Sequence, residues 1–210
     1  MVTEGRKFWF EQSGATMVEM AIAMPLLLTL LLGFVDFGYA FYQWNAASKA
    51  VQIGARLAQV STPIATALPA ETTAQTNTTL VGATVPAGTY DYVCTANSAG
   101  AASCTGTSCQ SGNTCADQAS FDFIYDGSSS RAGMHDFLPT LVKSEVRIEY
   151  SASGLGYWTR PGGPVPTITV SIVNHPFQFF FLGGLLGFNN ITMPSMLSTV
   201  TGEDLKSTWP

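Results

Sequence analysis

From Gly14 to Tyr42 the chain reads GATMVEMAIAMPLLLTLLLGFVDFGYAFY, a stretch with two charges, Glu19 and Asp36. The sixteen residues between them, Met20 to Val35, are uncharged and dense in Leu, Ala, Met and Phe. A run of this kind is long enough to read as a membrane helix. On a helix, two carboxylates seventeen residues apart stand about 26 Å from each other. That is close to the roughly 30 Å hydrocarbon thickness of a bilayer, so Glu19 and Asp36 are expected near opposite interfaces. Phe8, Trp9 and Phe10 before the run, and Phe37, Tyr39, Phe41, Tyr42 and Trp44 after it, are placed like the two aromatic belts of a membrane span.

The helix is expected to run from Ala15 to about Val60, roughly 70 Å at 1.5 Å per residue. Pro25 removes the amide that would serve the carbonyl of Ala21, and membrane helices tolerate such a break with a slight kink. Beyond Trp44 the sequence becomes amphipathic. Ala46, Ala50, Ile53 and Leu57 share one stripe, while Asn45, Ser48, Gln52, Arg56 and Gln59 lie largely on other faces. The stripe is expected to pack on a domain, and Ser61-Thr62-Pro63 to end the helix.

Arg6 and Lys7 precede the apolar run, mixed with Glu4 and Glu11, whereas Lys49 and Arg56 follow at a greater distance. Positive charge close to a span favours the cytoplasmic side, so the N-terminus is expected inside. A cleaved secretory signal is the competing reading, with Met20 to Val35 as its apolar core and Gly38-Tyr39-Ala40 as its cleavage site. Sixteen residues exceed the usual core of such signals, and bulky aromatics crowd the site.

The remaining chain has room for one modest domain. Leu80-Val81 and Thr89 to Val93 read as short strands, punctuated by Pro69 and by Pro86-Ala87-Gly88. Asp117 to Asp126 fits either a helical turn or a strand. Val146 to Tyr150 and Thr167 to Val173 alternate apolar and polar residues, the pattern of half-buried strands. They are expected to pair antiparallel with Val146 and Ile148 on one face. Phe177 to Phe188, FQFFFLGGLLGF, is too short to span a bilayer; it reads as core, a membrane-surface segment or a docking patch, and core packed under the long helix is expected. Ile191 to Thr201 reads as a last strand. The fold class expected is α+β, a long N-terminal helix packed on a small antiparallel sheet with a disulfide-bearing loop region.

The four cysteines, Cys94, Cys104, Cys109 and Cys115, lack the spacing of a zinc site, and neither histidine is near them. An even count in a loop-rich exported segment reads as two disulfides. Three connectivities are possible; the most local, Cys94–Cys104 with Cys109–Cys115, is expected.

Asp126-Gly127-Ser128-Ser129-Ser130 fits the DxSxS pattern of a metal-dependent adhesion site. Asp126, Ser128 and Ser130 would offer the oxygens that magnesium prefers. The 84 residues that follow cannot supply the βα units of the doubly wound domain such a site needs, so a polar turn is expected and no metal. His135 and His175 stand alone. There is no GxSxG, Walker loop, HExxH or CxxC, so the sequence points to neither an enzyme nor a cofactor. With net charge −5 and no basic run beyond Arg6-Lys7, it also lacks the positive footprint of a nucleic-acid binder. Charged residues make up 11% of the chain, against about 25% in ordinary soluble domains.

Ser13-Gly14-Ala15-Thr16-Met17-Val18-Glu19 resembles a type IV prepilin processing site, where a peptidase cuts after Gly and leaves Glu fifth in the mature chain. Residues 13 to 58 resemble more narrowly the TadE-like pseudopilins of tight-adherence (Flp-type) pili. GLGYW, GGPVPTITVSI and TGED near the C-terminus are a weaker echo. The resemblance implies a pilin-like fold, processing between Gly14 and Ala15, and contact of Glu19 with the N-terminal amine of a neighbouring subunit. It implies residues 1–14 as a cytoplasmic leader, 15–60 as the anchor helix and 61–210 as a periplasmic or extracellular domain. The implied partners are the inner membrane, prepilin peptidase and other pilins, without nucleic acid or small-molecule substrate. Two readings of Glu19 stay open, since a carboxylate at the edge of an apolar helix either pairs or snorkels to the headgroups. Two function classes also remain: a pseudopilin in pilus assembly, and an anchored binding module with a metal at the DGSSS turn.

Overall fold

The computed structural model describes residues 12–72, 78–109, 115–161, 163–181, 183, 184, 187, 191–203 and 205. The chain divides into two compact units: Met1–Tyr42 with Gln178–Ile191, and Gln43–Phe177 with Thr192–Pro210.

In the first unit the dominant element is the leading part of helix α1 (Gln12–Val60), which passes through Pro25 without interruption. From Met17 to Val35 every side chain is exposed except Thr29, Leu32 and Gly33, which are half-buried. This is the inverse of a soluble helix, where the apolar side chains face a core.

The second unit begins with the trailing part of α1, which ends at Val60 before Ser61-Thr62-Pro63. Its buried face is Ala47, Ala50, Val51, Gly54, Ala55, Leu57 and Ala58. The stripe read from sequence belongs to this contact: Ala50 and Leu57 are buried, and Ala46 and Ile53 are half-buried and packed against the core. At Gly54 the helix approaches its neighbours closely. A Cβ on Gly54 would lie 2.5 Å from Met134 Sδ and 3.2 Å from Val170 Cγ1, so small residues, not the largest apolar ones, mark the contact.

The helix packs on an antiparallel sheet of β1 (Asp91–Ala96), β2 (Ala102–Gly106), β5 (Val146–Ser151), β6 (Thr167–Ile172) and β7 (Met196–Thr201), in the order β2-β1-β5-β6-β7. Cys94 stands opposite Cys104 on one side and Ile148 on the other, and Ile148 stands opposite Val170. Tyr92, Tyr150 and Ile168 form the neighbouring row, and all of these except Cys104 have no exposed surface. Strict alternation puts Arg147, Glu149 and Thr169, none of them buried, between these core positions. The Tyr150 hydroxyl accepts a bond from the Ile64 amide at 3.2 Å, tying the sheet to the chain just after the helix.

Helix α2 (Gln118–Asp126) resolves the ambiguous stretch as helical, because Asp117 caps its first turn by accepting from the amides of Ala119 and Ser120. A two-residue ladder, β3 (Gly127–Ser128) with β4 (Arg131–Ala132), and the short helix α3 (Met134–Phe137) follow. Leu80 lies in a 3₁₀ turn, Thr78–Leu80, not in a strand. The Thr89–Val93 strand begins at Asp91 and runs on to Ala96. The molecule is α+β, as read from the sequence.

Candidate functional site

The leading part of α1 carries the chain's most distinctive chemistry. Gly14 is exposed, and a Cβ there would meet nothing within 4 Å among the described residues. Ala15 and Glu19 are exposed on the same helix. Beyond them Met20, Leu26, Leu28, Leu31 and Phe34 each leave more than half of their surface open. By length and composition this is a helix able to cross a membrane, the one such helix among the described residues.

Asp36, at the far end of the run, has no exposed surface. Its Oδ1 accepts a bond from the Phe180 amide at 3.1 Å, and its Oδ2 one from the Phe181 amide at 2.9 Å. The Tyr39 ring lies 4.9 Å from that of Phe180, centroid to centroid. The carboxylate is enclosed by the chain itself, with partners that the sequence reading did not find. The segment starting at Phe177 meets the core expectation only at its first residue, where Phe177 is half-buried and packed against the core. Phe180 is 62% and Phe181 42% exposed, so this part is no core under the helix but an apolar surface fixed by Asp36. Residues 182, 185, 186 and 188 of the same run lie outside the described residues.

The family model described as "TadE-like protein" matches residues 14–56. The chain carries a TadE-like segment at its N-terminus. No curated protein and no solved structure matches the chain. The TadE-like segment covers all of the exposed apolar run and most of the buried trailing face of α1, and stops four residues short of the helix end at Val60. It associates the chain with Tad pilus systems, and its apolar helix is consistent with a single-pass membrane anchor. The C-terminal strings GLGYW, GGPVPTITVSI and TGED fall outside the match.

The other sequence-derived positions lie in the second unit. Cys94 is bonded to Cys104 across β1 and β2, and Cys109 to Cys115, leaving no free cysteine. Asp126 closes α2, and its carboxylate lies 3.1 Å from Lys143 Nζ, which also holds Asp122 at 2.6 Å. The hydrogen bond to Asp122 holds the Lys143 ammonium above the usual lysine range, with help from Asp126. Ser128 and Ser130 are exposed, with hydroxyls 3.4 Å apart. Asp126 thus already faces a cation of the chain itself. Among the described residues no group of three or more His, Cys, Asp or Glu side chains gathers around a common point for a metal.

One constellation escaped the sequence reading. His175 Nδ1 lies 2.7 Å from Glu145 Oε2, and its Nε2 lies 3.2 Å from Thr140 Oγ1. Hydroxyl, imidazole and carboxylate in that order can activate a nucleophile. Here the ring is 2% exposed and both nitrogens are occupied by the chain, so the arrangement works as a clasp. It ties Thr140 and Glu145 to the segment after β6, where the His175 carbonyl also accepts a bond from the Met193 amide at 2.7 Å. Partners 30 and 35 residues away leave no local spacing signal. His135 sits beside the Tyr125 ring at 5.2 Å.

Proposed function

We propose that this chain is a membrane-anchored pseudopilin or minor pilin that acts in the assembly or structure of a Tad (Flp-type) pilus, a structural role and not an enzymatic one. The observation that carries this reading is the coincidence of the TadE-like match with a stretch of helix, residues 17–35, whose apolar side chains other than Leu32 are exposed. Such a face needs lipid or neighbouring apolar helices around it, and a pilin-type helix has lipid before assembly and other pilins afterwards. In this reading prepilin peptidase cuts between Gly14 and Ala15, the leader is cytoplasmic, and the domain from residue 61 lies in the periplasm or on the pilus. Cleavage creates an amine at Ala15, just over one helical turn from Glu19, and Glu19 pairs with the corresponding amine of a neighbouring subunit.

Both steps are open to direct tests. Because a Cβ at Gly14 meets open space, Gly14→Val leaves the helix undisturbed and isolates processing. Intact mass is expected to show loss of residues 1–14 in the wild type and their retention in Gly14→Val. A mature chain starting at Phe41 would instead mean a secretory signal. Glu19→Leu as the sole copy is expected to stay in the membrane yet fail to support pili or to crosslink to other pilins. Normal piliation by that variant would leave Glu19 with no pairing role.

A further inference from the structure

We infer that the segment around Phe180 and Phe181 is a second membrane contact, an interfacial patch clamped by Asp36 at the headgroup level of the bilayer that α1 crosses. The inference rests on reading α1 as a membrane span. Four observations support it. From Pro176 to Gly202 the chain has no charged residue, a composition unlike a water-facing surface. Phe180 and Phe181 are exposed, in the same compact unit as the apolar part of α1. Asp36, which holds both of their amides, lies about 26 Å along the helix from Glu19, at the outer end of a bilayer-length run. Finally, Phe37, Phe41 and Tyr42 are exposed within two turns of Asp36, where aromatic side chains favour the interface.

The clamp also answers an energetic need at such a site. Irregular backbone near lipid must have its amides satisfied within the protein, and a carboxylate at the edge of a span is costly unless its oxygens are bonded. Asp36 and the two amides meet both requirements at once. Phe180 and Phe181 belong to an apolar run too short to cross, so they would lie in the plane of the interface, as monotopic apolar segments do. Lipid is the occupant that fits an aromatic patch continuous with a membrane helix.

Gly184 is exposed, and a side chain there meets nothing within 4 Å among the described residues. The native cysteines are all bonded, so Gly184→Cys and Leu27→Cys each give one labelling site in the full-length chain. With an environment-sensitive fluorophore, in phosphatidylethanolamine–phosphatidylglycerol vesicles, the label at 27 is expected to be quenched by a deep doxyl lipid. The label at 184 is expected to be quenched by a shallow doxyl lipid and shielded from aqueous iodide. Phe180→Ser with Phe181→Ser, and separately Asp36→Leu, should each raise iodide quenching at 184 severalfold while leaving 27 unchanged. If 184 is open to iodide while 27 stays in lipid, the interfacial patch is refuted and the anchor stands. If 27 is also open to iodide, the anchor reading has failed and takes the patch with it. Shielding of 184 that depends on protein density and not on lipid quenchers would assign the patch to a second copy. Unchanged quenching at 184 in Asp36→Leu would refute the clamp.

Discussion

The two parts of α1 follow opposite rules within one unbroken helix. Residues 17–35 present Leu, Met, Phe and Ile outward, whereas residues 47–58 turn Ala, Gly and Val inward against a sheet. Large apolar side chains suit a solvent that is itself apolar. Small ones suit a contact where backbone and neighbouring side chains approach closely, as Gly54 does with Met134 and Val170. Residue size along the helix thus separates the exposed part from the part packed on the sheet.

Substitutions that respect one rule and violate the other break this comparison cleanly. The largest effect is expected from Leu28→Arg. A central arginine in place of leucine costs about 3–4 kcal/mol of membrane insertion, and membrane fractionation should show the loss. The melting temperature of the same variant in detergent should not move, because Leu28 contacts no core. In the opposite sense, replacing Cys94 and Cys104 by Ala removes a link closing a ten-residue separation and should destabilise the domain by about 2–3 kcal/mol. Membrane insertion should not change. Gly54→Val comes next: overpacking against Met134 and Val170 should cost about 1–3 kcal/mol, read as a lower melting temperature with insertion intact.

The smallest effect sharpens the picture of the domain core. Tyr90 has no exposed surface, and its hydroxyl has no hydrogen-bond partner among the described residues. Burial, then the nearby Glu71 carboxylate, pushes its pKa up to about 12. A folded pKa above the unfolded value of about 10 means that the contribution is fully present below pH 10 and is lost as pH rises through 12. Alkaline titration followed by tyrosinate absorbance and circular dichroism should show domain stability falling across that window. Tyr90→Phe should flatten the fall and change stability near pH 7 by less than about 1 kcal/mol, since no bond is lost.

How far the sequence could be read follows from the range of each interaction. β5 and β6 were legible because alternation is written residue by residue, and Val146 and Ile148 do share the buried face. The two local disulfides were legible for the same reason. The packing stripe of α1 was legible from its spacing, whereas Gly54 was not, because a scale of apolarity passes over a glycine that close approach requires. Leu80-Val81 looked like a strand from side-chain type alone, yet among the described residues no neighbouring strand takes it up, and Thr78–Leu80 turns instead. The partners of Asp36 were not legible because they lie 144 and 145 residues further on. A local reading saw a charge ending a span, not an acceptor for two distant amides. The roles proposed for Gly14 and Glu19 rest on family resemblance; their spacing alone, a Gly five residues before a Glu, is common.

Cysteine accessibility in intact membranes tests the division of α1 most directly. Leu28→Cys and Gln52→Cys both create exposed positions on the helix, in a chain with no free cysteine of its own. If the first lies in lipid and the second outside it, a membrane-impermeant maleimide applied from the domain side should label Gln52→Cys readily. It should leave Leu28→Cys unmodified until detergent dissolves the bilayer. Equal labelling of both positions before detergent would contradict the membrane span and, with it, the pilus-anchor function.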